Sequence, residues 1–218
     1  DHVTAVSWPL AKKLDQFNPA KSVDVVPNAL SPHFLSTGYK WKGDKQVRIG
    51  YFGHLTDSWF DWDSLKEIAN RRPQFQFEII GHSEPDDLVV PKNIHVLGPK
   101  NHGEINEIAA KWSVAIIPFK MGPLADGVDP IKIYEYMALE LPTVSFRMPQ
   151  IDNYPATITV ESVEDFCSAL DEFSIYRPRK GSLKAWLQSN RWEDRVDHFL
   201  NLAKEEPINN FNKLGGVL

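Results

Sequence analysis

Cysteine is nearly absent from this 218-residue sequence, which contains only Cys167 and therefore cannot form an internal disulfide bond. Such a shortage is typical of proteins from a reducing compartment. Basic residues are also outnumbered, 24 against 29 acidic ones, and the formal net charge of −5 argues against a broad nucleic-acid-binding surface. No apolar run approaches the roughly 20 residues that cross a bilayer. We therefore expect a cytoplasmic protein with no nucleic-acid partner.

Several common motifs of metal and nucleotide chemistry are missing as well. The seven histidines show neither His-x-x-x-His nor Cys–His spacing, so the sequence holds no zinc motif. It contains no P-loop and no Gly-x-Ser-x-Gly elbow. We accordingly expect no bound metal and no cofactor.

What the sequence does contain is a regular alternation of short apolar strands and helical stretches. This pattern is typical of βαβ units around a parallel sheet. It predicts an α/β fold, a Rossmann-like parallel sheet with helices on both faces. The predicted strands span 48–52, 75–80, 94–97, 113–119, 143–146 and 157–160, and the predicted helices start near 61 or span 104–112, 130–140, 163–176, 182–188 and 192–204.

Ligands of open parallel sheets bind at the carboxyl ends of the strands, near a point where the strand order reverses. Here those ends hold three glycine-containing segments, Gly53-His54, Gly81-His82 and Gly98-Pro99-Lys100, and the loop 120–129. The loop leads into the helix predicted at 130–140. Asp129 suits its N-cap and Pro130 its first position, and the helical period predicts a core stripe of Ile131, Tyr134, Ala138 and Leu141.

Lys132 and Glu135, three residues apart, lie together on the neighbouring face of that helix. A cation in the first turn opposes the helix dipole at a cost of about 0.3–1 kcal/mol. A bound anion would reverse that sign, because free N–H groups and the ammonium would converge on it. Lysine for phosphate and carboxylate for ribose would suit a nucleotide-sugar site. The alternative is that Lys132 pairs with Asp129 or Glu135 on a solvated face.

Five segments, in their order and spacing, resemble the donor-binding half of a GT-B glycosyltransferase of the group-1, family-four kind. The resemblance covers the stretch from Val3 to about Ala203. The segments are Val-Val-Pro-Asn-Ala at 25–29, Gly-Tyr-Phe-Gly at 50–53, Ala-Ile-Ile-Pro-Phe at 115–119, Pro-Ile-Lys-Ile-Tyr-Glu-Tyr-Met-Ala-Leu-Glu-Leu-Pro-Thr-Val at 130–144 and Trp-Glu-Asp-Arg-Val at 192–196.

The resemblance implies roles for individual positions. Glu135 is expected on the nucleotide ribose, Lys132 on the diphosphate, and Gly53 in a turn that lets the backbone approach the phosphates. Main chain at Gly98, Pro99 and Lys100 is expected to hold the base. We also assign the start of the signature helix, Asp129, Pro130 and Ile131, to substrate binding.

Departures from the family pattern are equally informative. Gly127 stands where the usual signature has a second glutamate, and His54 where many relatives have an arginine. The segment 59–63 replaces the usual Lys-Gly element, so two cations that stabilise the leaving diphosphate are missing from their usual places. Either Lys132 and His54 are the catalytic residues in their stead, or the donor is bound without efficient turnover.

The resemblance thus implies a domain that binds a nucleoside-diphosphate sugar, with UDP or GDP favoured, for transfer to a glycan or lipid-linked acceptor in polysaccharide biosynthesis. The expected enzyme is a retaining, metal-independent hexosyltransferase. The alternatives left open are a non-catalytic GT-B-like scaffold or regulatory domain and a GT-B nucleotide-sugar epimerase. Asp61 and Asp63 spell the D-x-D of metal-dependent glycosyltransferases, but acidic residues also favour helix N-termini.

The same resemblance predicts the domain organisation. Residues 1–35 are expected to be a linker and the remnant of an upstream acceptor-binding domain, 36–206 the nucleotide-sugar-binding domain, and 207–218 a loose tail. The start at Asp1, without Met, predicts a fragment that is inactive alone and whose residues 1–6 are frayed or packed against something foreign. A basic and aromatic cluster (Tyr39, Lys40, Trp41, Lys42, Lys45 and Arg48) could touch the inner face of the membrane or a lipid-linked acceptor, or form a solvated loop.

Overall fold

The computed structural model describes residues 2–17, 22–30, 46–176, 178–179 and 181–204. The predicted loose tail at 207–218 lies outside the described residues. So does the basic and aromatic cluster, apart from Arg48.

Six parallel strands form the main sheet, in the order β5-β4-β3-β6-β7-β8. The chain therefore runs outward from β3 to β5 on one side and from β6 to β8 on the other, and the order reverses between β3 and β6. A separate two-stranded parallel sheet joins β1 and β2. The strands are β1 (Val3–Ala5), β2 (Val23–Val25), β3 (Arg48–His54), β4 (Gln76–His82), β5 (Ile94–Val96), β6 (Val114–Ile117), β7 (Thr143–Phe146) and β8 (Thr157–Val160).

Helices flank this sheet, and the predicted α/β, Rossmann-like fold is confirmed. The second and sixth of the described helices pack against each other, as do the fifth and seventh. The fourth helix and the 3-10 turn were not predicted, because elements of three or four residues are too short to show a period. The helices are α1 (Trp8–Phe17), α2 (Trp62–Arg71), α3 (His102–Ala109), α4 (Pro123–Asp126), α5 (Ile131–Ala138), α6 (Val163–Ile175), α7 (Ser182–Gln188) and α8 (Trp192–Lys204), with the 3-10 turn at Pro149–Ile151.

A buried cluster of Trp112, Glu78 and Arg48 joins strands β3 and β4. Trp112 lies over Gly50, where any Cβ would overlap the indole ring. Its Nε1 donates to Glu78 Oε2 at 2.8 Å, and Glu78, the register partner of Gly50, also forms an ion pair with Arg48. A buried carboxylate needs such partners, and the Trp112 ring that supplies one of them fills the space above position 50. This explains why the strand residue at position 50 is glycine.

The start of helix α5 differs from the prediction. The helix begins at Ile131 with Pro130 at the N-cap and no side-chain cap, so the predicted N-cap role of Asp129 is wrong. The predicted core stripe is also wrong at Ile131, which is 37% exposed. The buried residues of α5 are Ile133, Tyr134, Tyr136 and Met137.

The amino-terminal segment is held by its own chain. Val3–Ala5 pairs with Val23–Val25, the Ser7 hydroxyl donates to the Gly127 carbonyl at 2.7 Å, and the Trp8 amide donates to Gln150 Oε1 at 2.9 Å. The prediction that residues 1–6 are frayed or packed against something foreign is therefore wrong for residues 3–5, because each pairs with a residue 20 positions further along the chain.

Candidate functional site

Three of the predicted ligand-binding segments meet at the carboxyl edge of the sheet, beside the reversal of strand order. Gly53 pairs in register with Gly81, and His54 with His82. The Gly81 amide donates to the Gly98 carbonyl at 3.2 Å. The ends of β3 and β4 and the segment after β5 therefore form one continuous rim, which is where open α/β sheets bind ligands.

Glycine is required at two positions of this rim. Gly53 has a φ of +149° and lies beneath the side chain of Lys132, so that a Cβ there would come within 2.6 Å of Lys132 Nζ and 2.8 Å of the Tyr51 hydroxyl. A Cβ on Gly81 would overlap the Gly53 carbonyl oxygen. The bare backbone at 53 thus lets helix α5 lay its lysine directly on the strand end.

Lys132 is held against an aromatic ring instead of a carboxylate. Its Nζ lies 5.8 Å from the centroid of the Tyr51 ring, within cation–π range. Among the residues that the structure describes, its ammonium has no ion pair within 4.0 Å. Burial lowers the pKa of Lys132, and the charge of Glu135 partly opposes that shift. The alternative of a solvated Lys132–Asp129 or Lys132–Glu135 pair does not match this arrangement.

Glu135 lies one turn further along α5, half-buried near that lysine. Burial raises the pKa of Glu135 to about 7, while the charge of Lys132 lowers it. Burial also raises the pKa of Tyr51, with a smaller contribution from Glu135. A partly desolvated cation and carboxylate without a mutual ion pair can both gain by binding a ligand that supplies an anion and hydroxyl groups.

Asp129, predicted to bind substrate, is instead buried, at 2% exposure. Its Oδ2 accepts from the Asn28 amide at 2.6 Å and from the Tyr134 hydroxyl at 2.8 Å, and its Oδ1 accepts from the Tyr154 hydroxyl at 3.1 Å. Burial raises the pKa of Asp129, while these hydrogen bonds and Arg195 lower it. Asp129 therefore joins the start of α5 to the segment 25–29, while its contact with substrate stays a prediction.

Two histidines stand on the rim with their rings in contact. The centroids of His54 and His82 are 4.2 Å apart with an angle of 68° between the planes, and both side chains are exposed. The sequence placed both histidines at the ends of predicted strands, where ligands bind, but assigned a catalytic role to His54 alone. Their strand register brings them together, and no single segment shows that register.

The remaining predicted site residues are divided between rim and interior. Gly98 has a φ of +66° and open space at its Cα, and Pro99 and Lys100 are exposed beside it. Pro130 is buried, whereas Ile131 is exposed at the start of α5. The structure thus places Gly98, Pro99, Lys100 and Ile131 at accessible positions and Pro130 in the fold.

The Asp61-Trp62-Asp63 tripeptide begins a helix, as the alternative interpretation of that pattern predicted. Asp61 caps α2 by accepting from the Ser64 amide at 3.0 Å, and Asp63 pairs with Lys66 at 2.8 Å. Within the described ranges, no three His, Cys, Asp or Glu side chains are grouped so that they could hold a metal ion. A cleft of about 360 Å³ lies between this helix start and the loop after β4.

Comparison with known proteins gives the family. The model of the group 1 glycosyl transferases matches residues 46–174, more than half of the chain, and that range contains the whole rim with Lys132 and Glu135. The chain belongs to the group 1 glycosyl transferases. The predicted resemblance to a group-1 glycosyltransferase is therefore confirmed.

Relatives of this group 1 glycosyl transferase agree with that assignment. This chain is 23% identical over 191 residues to TuaH of Bacillus subtilis (strain 168), which is named as a teichuronic acid biosynthesis glycosyltransferase. The match covers 79% of this chain. The chain spans about half of that relative, 48% of its length.

Solved structures match the fold of this group 1 glycosyl transferase. The lipopolysaccharide outer core galactosyltransferase WaaB, in its apo form, superposes with a TM-score of 0.71 at 16% identity, over 93% of this chain and 61% of WaaB. The pneumococcal O-GlcNAc transferase GtfA, in complex with UDP and GlcNAc, superposes with a TM-score of 0.55 at 12% identity, over 94% of this chain and 45% of GtfA. These likenesses support the GT-B-type Rossmann-like domain.

Two residues of the site were missed from the sequence. Tyr51 lies under the Lys132 ammonium and its hydroxyl donates to the His54 carbonyl at 2.9 Å. Asn28 donates its amide to Asp129 and its Nδ2 to the Asp129 carbonyl at 2.6 Å. Asn28 lies in the Val-Val-Pro-Asn-Ala segment, so the resemblance marked the segment but not this contact.

As for membranes, no helix in the described part of the chain is long and apolar enough to span one.

Proposed function

We propose that this domain binds the nucleoside-diphosphate sugar donor of a glycosyltransferase, with the diphosphate at Lys132. The observation that carries the proposal is the placement of Lys132 at the reversal of strand order, on bare backbone and without an ion pair among the described residues. Desolvation lowers its pKa, so a bound anion would stabilise the ammonium form that burial disfavours.

The phosphate end of the donor would rest on Lys132 and the start of α5. Free N–H groups of the first helical turn and the ammonium can act on the same anion. During transfer the bond between the sugar's anomeric carbon and the diphosphate oxygen breaks, and negative charge grows on that oxygen. A preorganised cation at that position stabilises the leaving diphosphate. We assign this role to Lys132, with His54 beside it on the rim.

The nucleoside end would extend away from Lys132 along the rim. Glu135 would accept hydrogen bonds from the ribose hydroxyls, which its deprotonated carboxylate is suited to do. Main chain at Gly98, Pro99 and Lys100 would hold the base, because the space above Gly98 is open. Asp129 and Pro130 would position α5 without touching the donor. UDP and GDP are the favoured nucleotides, and the UDP complex of GtfA supports the former.

The proposed reaction is retaining transfer of a hexosyl group, without a metal ion, to a hydroxyl of a glycan or lipid-linked acceptor. The acceptor oxygen forms the new glycosidic bond, and its proton leaves with the diphosphate. The names of TuaH and WaaB, for teichuronic acid and lipopolysaccharide, support polysaccharide biosynthesis. We propose that the acceptor is bound outside these 218 residues, at the inner face of the membrane, so that the domain alone binds donor without transferring sugar.

A thermal-unfolding panel with UDP, GDP and ADP, each beside its own nucleoside, tests donor binding. A ligand that binds only the folded chain stabilises it by RT ln(1 + L/Kd), where L is the free ligand concentration, and so raises the midpoint. We expect one diphosphate to raise the midpoint by several degrees and its nucleoside to have a much smaller effect. If none of the three shifts the midpoint at millimolar concentration, the proposal is wrong.

A non-catalytic scaffold is the second candidate. The family usually carries two cations in the region of residues 54–63. Here His54 stands in place of the usual arginine, and Asp61 caps a helix, so this region favours a scaffold. The same panel separates the two functions, because a scaffold has no reason to prefer a diphosphate over its nucleoside.

A further inference from the structure

The two histidines of the rim form a defined pair whose backbone is fixed on both sides. His54 and His82 are register partners at the ends of neighbouring strands, with ring centroids 4.2 Å apart. The His54 carbonyl accepts from the Tyr51 hydroxyl at 2.9 Å, and the His82 carbonyl accepts from the Leu55 amide at 3.0 Å. The carbonyl groups are thus occupied in the fold, while the rings remain exposed.

The His82 ring is further oriented by its neighbour. Its Nδ1 lies 2.9 Å from the Ser83 hydroxyl, and Ser83 has a φ of +69°, in the left-handed region that a serine rarely adopts. When the hydroxyl donates to Nδ1, the ring carries its hydrogen on Nε2 and can donate it to a ligand. Non-glycine residues with a positive φ, such as Ser83, cluster at functional sites. Here Ser83 orients the His82 ring.

Other cations near this edge already have partners. Lys120 pairs with Asp57 at 3.2 Å, and Lys100 lies 3.9 Å from Glu104. Among the described residues of this edge, Lys132 is therefore the lysine that has no ion pair. A diphosphate carries several anionic oxygens, more than one ammonium can bind. Charge-assisted hydrogen bonds to them are about twice as strong as neutral ones. Additional N–H donors at the rim would complete the site.

We propose that His82 is a second diphosphate-binding side chain, which acts together with His54 and Lys132. This inference rests on the proposed donor binding and deepens it, because it identifies how the site binds a diphosphate without the usual arginine and lysine. The two imidazoles and the Lys132 ammonium, which lies on Gly53 next to His54 in the chain, would donate to the same diphosphate. The pair therefore gives the site its preference for a diphosphate over a monophosphate.

Calorimetric titration of the 218-residue chain tests this inference, with the best-binding diphosphate among UDP, GDP and ADP and its monophosphate as probes. We expect H82A to weaken diphosphate binding about tenfold, or about 1.4 kcal/mol, and monophosphate binding less than threefold. H82Q retains an N–H donor and should recover part of the loss. H95A removes an exposed histidine of β5 that contacts Gln76 and should bind both probes like the parent chain.

The possible outcomes separate the two claims. If the parent chain binds a diphosphate and H82A binds it equally well, the histidine pair has no such role and the inference is overturned, while donor binding stands. Equal losses for both probes also overturn it, since they would indicate a general disturbance of the rim. If the parent chain binds none of the nucleotides, the proposed function itself is wrong, and the inference with it.

Discussion

Lys132 lies across Gly53, so that a Cβ at position 53 would come within 2.6 Å of the lysine Nζ and would overlap its Cε. A helix start and a strand end, 79 residues apart in sequence, are therefore fitted to each other at the one edge where such sheets bind ligands. The ammonium is positioned by bare backbone and by the Tyr51 ring. This contact links the fold to the proposed donor site.

Gly53→Ala should displace the lysine and strain the strand end, because φ is +149° at this position. We expect nucleoside-diphosphate binding to weaken at least tenfold and the free energy of unfolding to fall by about 1–3 kcal/mol. Calorimetric titration and urea unfolding measure the two effects. Gly127→Ala is the matched control, because its Cβ would meet only ordinary contacts at 3.8 and 3.9 Å. Unchanged binding by Gly53→Ala would show that Lys132 does not depend on this contact.

Glu135→Gln should remove a pH dependence of stability. Burial raises the pKa of Glu135 from an ordinary value of 4.5 to about 7, so the folded chain binds this proton more tightly than the unfolded chain. Its stabilising contribution is complete below about pH 4.5 and is lost as the pH rises through 7. Between pH 5 and 8 the parent chain should therefore lose on the order of 2 kcal/mol more stability than Glu135→Gln.

Urea unfolding at several pH values checks this expectation, with Glu172→Gln, an exposed change on α6, as the control. Parallel curves for the parent chain and Glu135→Gln would mean that the carboxylate is well solvated in the folded chain.

Asp129→Ala should destabilise the chain strongly, although the residue was first assigned to substrate binding. The change leaves the Asn28 amide and two tyrosine hydroxyls without their acceptor, and each buried unsatisfied group costs about 1–3 kcal/mol. We expect a loss of at least 3 kcal/mol in urea unfolding, whereas Asp197→Ala, exposed on α8, should change stability by less than about 0.5 kcal/mol. A stable Asp129→Ala chain that fails to bind donor would instead restore the substrate-binding role.

Much of the fold could be predicted because its signals are local. The Asp61 cap and the Leu65, Ile68 and Ala69 stripe identify α2 within ten residues, and the apolar runs of β3 and β4 end at glycines that the structure requires. Lys132 was identified for the same reason, since a cation in the first turn of a helix is unfavourable unless something compensates it.

The missed features depend on residues that are distant in sequence. Asp129 suits an N-cap locally, but Asn28 and Tyr154, 101 and 25 residues away, draw its carboxylate into the interior. Helix α5 packs against α7, and its Tyr136 hydroxyl also donates to the Ile116 carbonyl of β6 at 3.4 Å, so the helix buries more than one stripe. The His54–His82 contact likewise follows from strand register.

Calorimetric titration of UDP, GDP and ADP into the parent chain and into Lys132→Ala tests the central claim most directly. Glu172→Gln serves as the control for unspecific effects of a charge change. The account predicts that at least one diphosphate binds the parent chain, that Lys132→Ala binds it at least tenfold more weakly, and that the control binds it unchanged. Absence of binding by all three nucleotides, or equal binding by the parent chain and Lys132→Ala, would contradict it.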